Sequence, residues 1–67
     1  MDRKVTIEMS WMDAVNAKAI LTTRISEYAR MKNDYASRGE DAPNWLERES
    51  EELLRIVQIL HEAVISQ

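Results

Sequence analysis

From Leu53 to Ile65 the chain reads Leu-Leu-Arg-Ile-Val-Gln-Ile-Leu-His-Glu-Ala-Val-Ile, apolar on nearly every side of a helix. That stretch limits what 67 residues can fold into. One neighbouring helix covers an apolar stripe only about 100° wide. Leu46, Leu53, Ile56, Val57, Leu60 and Val64 form such a face, the expected seam with a first helix. Leu54, Ile59, Ala63 and Ile65 carry apolar surface well past half the circumference. A soluble monomer seldom exposes a patch of that kind, so these four residues are read as an oligomer interface.

Size points the same way. Chains of this length bury only about 60% of their unfolded surface and usually gain support from disulfides, a metal or self-association. There is no cysteine, which excludes disulfides and thiolate zinc sites, and His61 stands alone. No metal or cofactor is expected. A single glycine also excludes glycine-rich phosphate loops. Oligomerisation is the support left.

The rest of the chain divides by pattern into one domain, 1–67. Over about 4–10, Val5, Ile7 and Met9 alternate with Thr6, Glu8 and Ser10, the period of a half-buried strand. Ser10-Trp-Met-Asp13 has the form of a capping box. The following residues, to about Ser37, lack Pro and Gly and include Ala14, Ala17, Ala19, Ala29 and Ala36. Ala17, Ile20, Leu21, Ile25, Tyr28, Met31 and Tyr35 share one half of that helix, 11–37.

The segment 38–44 holds the only Gly and the only Pro, Gly39 and Pro43, suited to a helix end and a helix start. Asn44, with Asp41 as rival, is the expected cap of a second helix over about 45–65. A connection this short makes the helices antiparallel neighbours. The expected fold is mainly α: a short N-terminal strand, then a two-helix hairpin, assembling into a helical-bundle homo-oligomer. An isolated strand leaves its backbone groups unpaired, so Val5, Ile7 and Met9 are expected to pair with the same strand of a second copy or with a partner's edge.

Charge narrows the partners. The net charge of −3 argues against duplex nucleic acid. Residues 1–38 hold seven basic against five acidic side chains, and residues 39–67 two against seven. The basic start, Arg3-Lys4, leads into Val-Thr-Ile-Glu-Met, which is not a signal-peptide core, and no apolar run reaches the roughly 20 residues of a membrane span. A soluble cytoplasmic protein without a membrane partner is expected.

Candidate sites are few. Glu47, Glu51 and Glu52 belong to the densest carboxylate cluster, which reads as a solvated helix start with Glu51–Arg55 and Arg48–Glu52 pairs, and as a surface for a partner. His61 sits beside the apolar face with no Ser, Cys or Asp spaced for a triad. No enzyme is expected. Tyr28, Tyr35 and Trp45, with Arg24 and Arg38, combine aromatic faces with guanidinium forks, a set that can pack or can hold a nucleotide.

The start Val5-Thr-Ile-Glu-Met-Ser-Trp-Met-Asp-Ala14 resembles short phage-type proteins that open with a strand and run into a helical hairpin. Trp11 and Met12 depart from the acidic residues usual there. The resemblance implies an accessory protein that interferes with a host system. The leading expectation is therefore a homo-oligomeric interaction protein that occludes a host macromolecule. A second reading is an oligomeric sponge for a nucleotide or cyclic nucleotide. A third is a ribbon-type DNA regulator using Arg3, Lys4, Thr6 and Glu8, which the acidity disfavours.

Overall fold

The structure is a computed structural model that describes residues 3–66. Two helices, α1 (Trp11–Ser37) and α2 (Asn44–Ile65), pack as an antiparallel hairpin. No helix among the described residues is long and apolar enough to cross a membrane.

The start of α1 follows from its cap. Ser10 is extended, and its Oγ accepts the Asp13 backbone N–H at 3.0 Å. Asp13 adds a carboxylate to the first turn, where the helix dipole favours it. The far end is closed by a Schellman motif. Gly39 N–H donates to the Ala36 carbonyl at 3.0 Å and Glu40 N–H to the Tyr35 carbonyl at 2.9 Å. Gly39 takes φ +69°, a left-handed conformation that a residue with a Cβ rarely adopts.

The second cap differs from expectation. Pro43, extended at φ −63° and ψ 149°, occupies the cap position, and neither Asn44 nor Asp41 caps α2. Asn44 is already the first helical residue. The Pro43 carbonyl accepts the Leu46 N–H at 3.1 Å, and no side chain caps this end. The proline fixes the entry angle, so the backbone turns into the helix one residue early.

The seam has heptad spacing. On α2 the seam runs through Leu46, Ser50, Leu53, Val57, Leu60 and Val64, alternating steps of four and three, with His61 half-covered at its edge. On α1 it runs through Ala14, Lys18, Leu21, Ile25, Tyr28, Lys32 and Tyr35, with the same alternation, and Val15 and Ala17 are half-covered at its edges. Cross-helix bonds fix the register. Trp11 Nε1 donates to the Val64 carbonyl, Lys18 meets His61, Tyr28 meets Glu49 and Lys32 meets Glu47. Ile56, expected in the seam, lies outside it and is exposed, as are Ile20 and Met31 from the apolar half of α1. A strict 3.5-residue seam admits only one stripe of a broad apolar half.

The hairpin is one layer thick, 44 × 29 × 14 Å. Among the described residues only Ala14, Leu46 and Ser50 are buried, and Leu46 alone is fully enclosed. Ser50 spends its hydroxyl locally, donating to the Leu46 carbonyl at 2.8 Å. The radius of gyration is 14.7 Å, against about 11 Å for a compact chain of this length. The accessible surface is 5793 Å², where a compact 7.8 kDa monomer would expose roughly 4,400 Å². Stable domains enclose a core between two layers. This hairpin supplies one.

Residues 3–10 are exposed, and no strand is formed among the described residues. The alternation of Val5, Ile7 and Met9 suits a strand, but strand hydrogen bonds need a second edge, and the hairpin offers only helices.

Candidate interaction surface

Beside the seam, each helix carries a second stripe with the same four–three spacing. On α1 it runs through Ala17, Ile20, Arg24, Glu27 and Met31; on α2 through Trp45, Glu49, Glu52, Ile56, Ile59 and Ala63. Both stripes lie on one face of the hairpin. Ile20, Arg24, Glu49 and Glu52 line a shared depression of about 350 Å³, floored by Leu21, Tyr28 and Leu53. The stripes are the signal that a half-circumference count misses.

This face has three zones. Toward the open end of the hairpin it is apolar, with Ile20 at 69% and Ile59 at 61% exposed. There residues 5–9 of the N-terminal arm flank an open cleft of about 510 Å³ against Ile59, Leu60, Ala63 and Val64. In the middle lies a charged band of Arg24, Glu27, Glu49 and Glu52. Toward the loop, Trp45 sets its ring edge-on to Tyr28, with centroids 6.2 Å apart and planes at 82°, and so anchors the start of α2 on α1.

The expected interface residues divide. Ile59, Ala63, Val5, Ile7 and Met9 share the cleft region on this face. Leu54 and Ile65 are exposed too, but helical spacing puts them on the opposite flank of α2. Two apolar flanks are therefore open, and the one with Ile59 and Ala63 is continued by α1 and the arm.

The five residues expected to hold a nucleotide fall into two clusters, about 10 Å apart along α1 at 1.5 Å per residue. Arg24, Tyr28 and Trp45 form the first. The Tyr28 hydroxyl donates to Glu49 Oε2 at 2.7 Å. That bond, then burial, then the Glu49 charge raise the Tyr28 pKa above 10.0, and Arg24 offsets part of the rise. In the second, the Arg38 guanidinium stacks 4.9 Å over Tyr35. It also meets Asp34 at 2.7 Å and Glu40 at 3.5 Å. Each arginine thus has carboxylates beside it, and a phosphate would have to compete with them.

The carboxylates expected to bind a partner do not form one patch. Glu52 borders the Arg24 depression and pairs with Arg55, three residues on, so Arg55 does not take the expected Glu51 partner. Glu47 pairs with Lys32 at 3.6 Å, and Glu51 is exposed one turn further along its flank. His61 lies at the packing edge, its Nδ1 accepting from Lys18 Nζ at 2.9 Å. Among the described residues no three His, Asp or Glu side chains are grouped to hold a metal.

Comparison with protein-family models, with curated proteins and with solved structures finds no match for this chain.

Proposed function

We propose that this chain is a non-enzymatic interaction protein that works as a homo-oligomer and binds a macromolecular target by occlusion. The observation that carries the reading is the single-layer hairpin with an apolar face left uncovered, Ile20 and Ile59 most of all. A face of that kind gains stability only when another surface lies on it. In the oligomer, the Val5–Met9 alternation supplies a strand for pairing with another copy. Glu47 and Glu51, on the flank of α2 away from the apolar face, are then the surface turned to a host macromolecule.

Nucleotide capture has weaker support, because the Arg24 depression carries Glu49 and Glu52 against one guanidinium. Sedimentation equilibrium over a roughly hundredfold concentration range tests the oligomer directly by mass action. A species heavier than 7.8 kDa is expected. A monomer that stays fully helical at every concentration would refute the reading. For the target surface, reversing Glu47 and Glu51 to Lys should abolish target binding while helix content by circular dichroism is unchanged. Binding that survives the double reversal removes that surface from the proposal.

A further inference from the structure

The face shared by the two outer stripes leaves Ile20, Met31, Trp45, Ile56 and Ile59 exposed, and we infer that its occupant is a second copy of this chain, related by a twofold axis along the length of the hairpin. The inference rests on the oligomeric reading above and names its interface. Two features carry it: area and pattern.

The area is sufficient. The hairpin exposes roughly 1,400 Å² more than a compact monomer of its mass, and a stable interface hides about 800 Å² on each partner.

The pattern fixes the geometry. The Tyr28–Glu49 and Lys32–Glu47 contacts set the antiparallel register, so Ile20 stands level with Ile56, Arg24 with Glu52 and Met31 with Trp45. A twofold axis along the hairpin keeps every level and lays α1 of one copy over α2 of the other. Ile20 then meets Ile56 of the second copy, Met31 meets Trp45 and Arg24 meets Glu52. Apolar falls on apolar and the guanidinium falls on a carboxylate, while Glu27 falls on Glu49, so the apolar zones on either side of the charged band hold the pair together. All adjacent helices run antiparallel, as in an up-and-down four-helix bundle. An inverted twofold centred on the charged band would instead lay α1 over α1, with Ile20 on Met31, and would send the two N-terminal arms to opposite ends. The favoured axis also brings both N-terminal arms to the same end of the dimer.

Sedimentation equilibrium on Ile20→Glu and Leu54→Glu tests this. Leu54 is 56% exposed on the other flank. Ile20→Glu should weaken self-association at least about 100-fold, as an unpaired charge at an interface does, whereas Leu54→Glu should leave it unchanged. If the wild-type protein associates and Ile20→Glu associates equally well, this face is wrong and the oligomeric reading stands. If the wild type is a folded monomer throughout, both fall. Should Ile20→Glu fail to fold, the chain's lack of cysteine allows a second test. Ile20→Cys and Ile56→Cys proteins carrying tags of different mass are mixed and oxidised. A disulfide heterodimer is expected, and its absence overturns the proposed geometry.

Discussion

Replacing Ile59 by alanine separates a hairpin that stands alone from one whose face is covered. In the single chain Ile59 is 61% exposed, so about two-fifths of it is covered. Ile→Ala removes three carbons, each worth about 0.8 kcal/mol when buried. Scaled by the covered fraction, the lone hairpin should lose only about 1 kcal/mol. With a second copy over Ile59 the full transfer term and a cavity term apply, and the loss should be about 2–5 kcal/mol per chain. Leu46→Ala gives the internal reference, because Leu46 is fully enclosed within one chain and should cost about 2–5 kcal/mol in either state. The assay is urea unfolding followed by far-UV circular dichroism, at low and high protein concentration. A covered face predicts that Ile59→Ala approaches Leu46→Ala at high concentration and falls well below it when dilute. A cost for Ile59→Ala near 1 kcal/mol at both concentrations would refute the reasoning.

Two further outcomes follow from local geometry. Gly39→Ala should destabilise the hairpin by about 1–2 kcal/mol through its left-handed φ alone, since an added Cβ would meet no atom within 4 Å; thermal unfolding with no loss speaks against the Schellman closure. In a Tyr35→Phe background, Tyr28 should ionise above 10.0 by ultraviolet titration, and Glu49→Gln should bring it down. The hydroxyl–carboxylate bond raises the folded-state value, so its contribution to stability is complete below pH 10 and is lost as pH rises through the higher folded value. Equal midpoints in the two proteins would mean that Tyr28 and Glu49 are not bonded in solution.

How much of this was legible in the sequence varies with the kind of signal. The ends of α1 were readable because Ser10 and Gly39 act locally, through one hydroxyl and one backbone conformation. Asn44 is expected to cap α2 by residue preference, but Pro43, extended with its φ fixed by the ring, takes the cap position and leaves Asn44 as the first helical residue. Ile56 is expected in the seam but lies beside it, as Ile20 and Met31 do on α1, because an apolar-face count cannot say where a 3.5-residue stripe falls within a broad apolar half. The polar occupants Lys18, Lys32 and Ser50 stayed hidden for the opposite reason. Long amphipathic stems and a self-bonded hydroxyl fit a seam edge without any hydrophobic signature. Alternation at Val5, Ile7 and Met9 reports a preference for strand, but pairing depends on an edge that no local pattern encodes. The expected nucleotide set and carboxylate set were each assembled by residue type, and helical spacing then divided both.

The short connection between the helices has a kinetic meaning. Arg38 to Pro43 is closed by the Schellman bonds on one side and fixed by a proline on the other, with Trp45 already against Tyr28. Loop closure is therefore cheap at this end, and the two helices can zip from the turn outward, each new heptad adding contact at small entropic cost. The open end, where Ile20, Ile59 and the arm lie, is the last to close and the first to fray. Amide exchange should then grade along the molecule, slow beside Leu46 and fast near Val64 in the dilute chain. A partner seated on that end would act as a clasp, converting the most transient part of the hairpin into the part that holds it shut.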